Sequence, residues 1–457
     1  MSMDYKVVNP ATGATVETFP AITDDELEAV LAKAEKAQRA WAELDMSERS
    51  KIVSRVADLY DERAEELADI IGVEMGKRRS EAVGEAQFCS RIYRYYADNA
   101  AEFTKDVPLD APGGKAVMQH RPVGTILGIM PWNFPYYQVA RFAAPNLMLG
   151  NAIVLKHAEI CAKSAGVMEE IMLEAGVPEG VFQNIYAKHD QISKVIADDR
   201  IAGVSLTGSE RAGAAISAQA GKALKKAVLE LGGSDPYIVL DSSDVKASAQ
   251  LAYKTRLFNT GQACNSNKRI IVMDDMYEEF VDELVRLASE ATPGDYTSED
   301  PSVYMPLSSR AAAENLYDQI LRAKDAGATI RTGGQISDEG AYVSPTVITD
   351  IPVGSDIYYE EFFGPVLVAY PVSSDEEALE LANNTQFGLG GTVFSEDVER
   401  AQKVSDRLEV GMASVNIPKA GGEHLPFGGV KRSGYGRELG PVGMDEFVNK
   451  RLYYVAD

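Results

Sequence analysis

Apolar residues recur three and four positions apart beyond Thr23-Asp24-Asp25-Glu26, whose threonine and glutamate form a capping box. They predict an amphipathic helix to about Leu44. Two more such stretches, about Ser47 to Gly72 and about Glu81 to Asn99, make most of the first hundred residues helical. The Pro/Gly-rich segment Val107–Lys115 breaks the pattern, and Ala116–Pro122 reads as a strand. From Val123 to about Leu231 the period changes. Short apolar runs at Thr125–Met130, Ala152–Leu155, Val181–Tyr186, Gly203–Thr207 and Ala227–Leu231 alternate with helical stretches, which predicts a parallel sheet with crossover helices. A second α/β series runs from Tyr237 to about Asn416, with strands near Tyr237–Leu240, Arg269–Met273 and Val366–Tyr370. The tail, Glu446–Val455, reads as a strand that could pair with another subunit.

A chain of 457 residues exceeds one ordinary core, so two or three domains are expected. No run approaches the length of a membrane span, and the N-terminus lacks the basic and apolar regions of a secretory signal. Three cysteines, Cys89, Cys161 and Cys264, form no disulfide framework and no CxxC pair, so the expected compartment is the reducing cytoplasm. A formal charge of −24 argues against nucleic-acid and anionic-membrane partners. The four histidines are scattered without metal-ligand spacing, which argues against a metal centre and against a Ser-His-Asp hydrolase.

Against this background one segment carries strong chemistry. Asn259-Thr260-Gly261-Gln262-Ala263-Cys264 sets a thiol just after a glycine turn, and a thiolate is the strongest side-chain nucleophile near neutral pH. A small buried cysteine would look the same in isolation. Asn133, in Met130-Pro131-Trp132-Asn133-Phe134-Pro135, is fixed between prolines at a strand-to-helix turn, where its amide could serve an oxyanion or simply cap the helix. Lys156 and Glu159 follow a strand end, a position suited to ribose hydroxyls or to an ordinary helix start. Thr207-Gly208-Ser209 opens a helix whose N-terminus could take a phosphate. Glu230 ends an apolar strand before Gly232-Gly233, where burial would raise its pKa toward that of a general base. Glu361 and Phe363 lie two apart on an extended Glu360–Pro365 segment.

In their order and approximate spacing, PWNFP, Lys156/Glu159, TGS, ELGG, GQAC, EEFFGP and PFGGVKRSGYGRE resemble the NAD(P)-dependent aldehyde dehydrogenase superfamily, from about residue 5 to the end. The resemblance implies two doubly wound parallel-sheet domains plus a small β oligomerisation element. The cofactor-binding domain would comprise residues 1–105 and 123–231, the catalytic domain 232–425, and the oligomerisation element 106–122 and 440–457, in a homodimer or homotetramer. It implies Cys264 as nucleophile, Glu230 as the base that activates water, and Asn133 with the Cys264 backbone N–H as oxyanion hole. Lys156 and Glu159 would hold the adenosine ribose, with Trp132, Gly208 and Ser209 along the dinucleotide. Glu361 would bind the nicotinamide ribose and Phe363 pack near its ring.

The chain's shortness, KHA after the strand and GSDPYIVL after the glutamate are similar to the succinate-semialdehyde dehydrogenase branch. That branch carries an arginine at the position of Arg141 for the substrate's distal carboxylate, a task suited to a guanidinium. Where some members carry a second arginine, this chain has Phe258; Arg256 would replace it only if the segment is extended. Ser266 stands where some relatives carry a second, redox-active cysteine, and His157 replaces a usual proline. A carboxylate at 159 accepts from a ribose 2′-OH and repels a 2′-phosphate, so NAD is favoured, with NADP possible.

Overall fold

The computed structural model describes residues 5–457, so the first four residues of the expected cofactor-binding segment lie outside it. The capping box forms as expected. Glu26 N donates to Thr23 Oγ1 at 3.3 Å, Thr23 N donates to Glu26 Oε2 at 2.8 Å, and the helix Asp24–Glu43 follows. The expected Ser47–Gly72 helix is two helices, Met46–Glu62 and Ala64–Met75, broken at Arg63. The next helix, Arg79–Phe103, buries Ala82, Ala86, Cys89, Tyr93 and Tyr96 along one stripe. It packs in one core with Met46–Glu62 and Pro135–Leu149. An unpredicted hairpin, Tyr5–Val8 with Thr15–Phe19, precedes them all.

Three sheets organise the rest. The first runs Phe182–Asn184, Ala152–His157, Thr125–Met130, Ile201–Thr207 and Lys226–Glu230, all parallel, with Gly434–Tyr435 antiparallel at its edge. Chain order therefore proceeds outward from Thr125–Met130 in one direction and then resumes on its other side. That reversal opens a crevice at the carboxyl ends of Thr125–Met130 and Ile201–Thr207. The second sheet has seven strands, with Pro236–Val239, Arg269–Met273 and Val366–Val372 at its centre and one antiparallel pair at an edge. The third pairs Gly114–Pro122 with both Val107–Leu109 and the C-terminal strand Val448–Ala456. Part of the segment expected only as a break is thus a strand, and the tail completes a sheet of its own chain. Among the described residues no helix is long and apolar enough to cross a membrane, and no cluster of side chains could hold a metal ion.

Candidate active site

Cys264 lies at the junction of the two large sheets, after the helix Val245–Leu257 and the tight turn Phe258–Gly261, and before the strand Arg269–Met273. The turn is strained. Asn259 and Thr260 are buried at φ of 52° and 53°, a left-handed conformation that non-glycine residues rarely adopt. Interlocking hydrogen bonds hold it. Asn259 Nδ2 donates to Asn133 O at 2.8 Å and to Gln262 O at 3.1 Å, while Asn259 N donates to Glu81 Oε2 at 2.9 Å. Asn133 is thereby tied to the thiol loop. Its Nδ2 donates to Gln262 O at 3.0 Å, and its Oδ1 accepts from Gln138 Nε2 at 3.4 Å, which orients the amide. An amide nitrogen carries two hydrogens, so one N–H of Asn133 stays available, two residues from the cysteine along the loop it bonds at Gln262. Among the described residues nothing accepts the Cys264 backbone N–H either.

Behind Asn133 stands a buried ion pair that sequence reasoning missed. Lys77 pairs with Glu85 and donates to Asn133 O at 2.8 Å, and Glu85 Oε1 accepts from Tyr136 N and Tyr137 N at 2.9 and 3.1 Å. The pair therefore anchors the first turn of Pro135–Leu149. Losing one partner of such a pair costs on the order of 3–5 kcal/mol.

The Cys264 thiol is pushed up to about 11, chiefly by burial, with Arg141 and Lys268 opposing. Cys89 and Cys161 are wholly enclosed, and burial raises them well above the ordinary thiol range. Glu230 ends the strand Lys226–Glu230 and is buried, with neither carboxylate oxygen hydrogen-bonded among the described residues. Burial and the neighbouring Glu438 carboxylate raise its pKa well above the usual range, against Arg141 and Arg437. A Cβ on Gly428 would stand 2.8 Å from Glu230 Oε1, so the glycine-rich closing loop makes room for this carboxylate. No hydrogen bond joins Glu230 to Cys264.

The remaining expected residues fall into two groups. Trp132 and Phe363 meet edge to face at 5.6 Å. Glu361 Oε1 lies 2.9 Å from Lys268 Nζ and accepts from Gly233 N at 3.2 Å. Any Cβ on Gly232 would come within 2.3 Å of Glu361 Oε2, which explains the glycine there. At the sheet's switch point Gly208 N donates to Glu230 O at 3.0 Å, and Ser209 caps the helix Glu210–Lys222 through Ala212 N at 3.3 Å. Lys156, next to last in its strand, is paired with Glu159. Free helix N–H groups, a cation–carboxylate pair at a strand end and an aromatic wall near the thiol fit a dinucleotide laid across the crevice.

A thiol, an amide donor, a buried carboxylate and this crevice in one junction are what a covalent aldehyde oxidation needs. The sequence model of the aldehyde dehydrogenase family matches residues 1–452. The chain belongs to the aldehyde dehydrogenase family. A succinate-semialdehyde dehydrogenase [NADP(+)] of Deinococcus radiodurans is 48% identical over 98% of this chain and 94% of its own. Its namesake in Mycobacterium bovis is 40% identical over 99% and 100%. The crystal structure of succinic semialdehyde dehydrogenase from Streptococcus pyogenes with NADP+ superposes with a TM-score of 0.96 at 44% identity, covering 99% of this chain and 100% of that one.

Two arginines of this aldehyde dehydrogenase differ sharply. Arg256 is helical and donates to Val366 O at 2.8 Å, Gly261 O at 2.8 Å, Ser266 Oγ at 3.0 Å and Phe362 O at 2.6 Å, so it staples the thiol loop to the Glu361 segment. Arg141 is buried between the rings of Tyr137 and Phe427, at 4.8 and 4.2 Å, with Nε 2.8 Å from Glu438 Oε2. Its Nη2 donates to Thr207 Oγ1 at 3.3 Å, and its Nη1 has no partner among the described residues. His157, in place of proline, is neutral: burial lowers it to about 4. Its Nε2–H donates to Pro135 O at 3.0 Å and joins the strand end to the helix start.

Proposed function

We propose that this aldehyde dehydrogenase oxidises succinate semialdehyde to succinate with NAD(P), through Cys264. The observation that carries the substrate is the buried Arg141 guanidinium with its unpartnered Nη1, set in the aromatic wall against which Cys264 packs. A distal carboxylate would complete its hydrogen bonds, and likeness to proteins named for this substrate supports the same reading.

In this mechanism the Cys264 thiol gives its proton to solvent water, and the thiolate sulfur bonds to the aldehyde carbon as the carbonyl π bond breaks onto oxygen. The oxyanion of the resulting thiohemiacetal accepts from the free Asn133 Nδ2–H and the Cys264 backbone N–H. When bound, the oxidised nicotinamide ring supplies the two-electron acceptor that turns this adduct into a thioester. Glu230 swings from its seat beside Glu438 toward the thioester and takes a proton from water. The water oxygen adds to the carbonyl carbon, the C–S bond breaks, and the acid leaves with Cys264 again a thiolate.

Comparing kcat/KM for succinate semialdehyde and butanal tests the substrate. The wild type should favour the acid, and Arg141→Met should raise KM for the acid by about tenfold or more with a smaller effect on butanal. A wild type indifferent to the carboxylate would overturn the reading.

For the cofactor, we infer that both dinucleotides bind and that residues 156 and 159 set the balance. Glu159 opposes a 2′-phosphate and Lys156 attracts it, while the relatives' names favour NADP. Glu159→Ser should shift the NADP/NAD ratio of kcat/KM toward NADP by about tenfold, about 1.4 kcal/mol. An unchanged ratio would remove Glu159 from the ribose site. We also read residues 1–105 with 123–231 as the cofactor domain and 232–425 as the catalytic domain. Exposed Leu452, Tyr453, Tyr454 and Val455 support the third sheet as a surface for forming a homodimer or homotetramer. The three unpaired thiols suit a cytoplasmic protein.

A further inference from the structure

An anionic aldehyde meets an electrostatic obstacle at this protein, whose formal charge is −24. Recruiting it requires a local positive charge at the site, and most cations there are engaged. Lys77 is paired with Glu85, Arg141 with Glu438 and Lys268 with Glu361. Arg256 and Arg437 donate to backbone carbonyls. Lys419 differs. It sits on the loop after the strand Met412–Val415, and among the described residues it has neither an ion pair nor a hydrogen bond. Its ammonium lies 4.5 Å from the centre of the Phe258 ring. That ring stacks on Phe134 at 5.9 Å, and Phe134 meets Tyr137 edge to face at 6.0 Å. Tyr137 in turn meets Phe427 at 6.5 Å, where Arg141 lies. Lys419 and Arg141 therefore stand at opposite ends of one aromatic row, whose Tyr137–Phe427 end belongs to the core against which Cys264 packs.

We propose that Lys419 is a specificity-determining residue, recruiting the carboxylate of the anionic aldehyde at the outer end of this row. The proposal rests on the substrate reading above. A cation over an aromatic face keeps its charge available to a ligand, because the ring offers no competing anion. Burial around the ammonium lowers its pKa, opposed by Cys264 when it is ionised and by Glu81 and Asp235. The residue as a whole is exposed, with its ammonium held over the Phe258 ring.

Initial rates with succinate semialdehyde and butanal, at low and high salt, test the proposal in the wild type, Lys419→Met and Lys419→Arg. For Lys419→Met at low salt, kcat/KM for the acid should fall about five- to tenfold, with a clearly smaller change in kcat/KM for butanal, which shares only the thiol chemistry. The deficit should shrink at high salt, and Lys419→Arg should keep most of the wild-type value. Equal changes for both substrates, or no change for the acid, would overturn the role of Lys419. The wild-type acid-to-butanal ratio judges the substrate reading separately, and the shift of that ratio in Lys419→Met judges Lys419 whichever way the first falls.

Discussion

Cys264→Ala is expected to abolish aldehyde oxidation while leaving dinucleotide binding intact. The residues suited to the dinucleotide, Lys156, Glu159, Ser209 and Glu361, do not hydrogen-bond the thiol. Truncation to alanine removes one sulfur from a partly exposed position, so the fold should survive. The same variant should lose nearly all iodoacetamide incorporation, since Cys89 and Cys161 are fully enclosed with thiols raised well above the ordinary range by burial. In wild type the labelling rate should depend steeply on pH. With the Cys264 thiol near 11, the thiolate fraction rises about tenfold per pH unit through the neutral range and levels only above that value. Bound dinucleotide should change this rate by altering the charges around Cys264. Turnover of Cys264→Ala within about tenfold of wild type would end the assignment.

The architecture was readable because the apolar period changes from helical to strand-like near Val123 and because each strand is bracketed by helices. What escaped had little local signal. The strand Thr15–Phe19 is exposed along almost its whole length, so no alternation marks it. The helix break at Arg63 carries neither proline nor glycine. The same division holds in the site. The thiol, the amide and the glycines are local patterns, and the structure gives Gly232 its reason in the approach of Glu361. Lys77 and Glu85 were invisible because their chemistry exists only once the helix Arg79–Phe103 packs behind Asn133. The left-handed Asn259-Thr260 turn is imposed by bonds to Glu81 and Asn133, distant in sequence. Arg141 was readable as a position, but its partner Glu438 was not, since the two lie far apart along the chain.

That pairing bears on Glu230→Gln, which should separate the two halves of the reaction. Glutamine keeps the shape of the buried side chain and removes its basicity, so acylation of Cys264 should proceed and hydrolysis should stall. The expected result is a burst of reduced nicotinamide of about one equivalent per site, followed by a steady rate on the order of 10²- to 10⁴-fold below wild type. The pH profile should change with it. Burial and Glu438 hold Glu230 well above the ordinary carboxylate range, so wild-type kcat should climb with pH as this proton is lost. Glu230→Gln should lack that ascending limb. A fall in kcat without a burst would instead place Glu230 in the acylation half, with the thiol as its proton donor. An unchanged kcat would leave the buried carboxylate only as a neighbouring charge to Arg141 and Glu438, with water activated elsewhere.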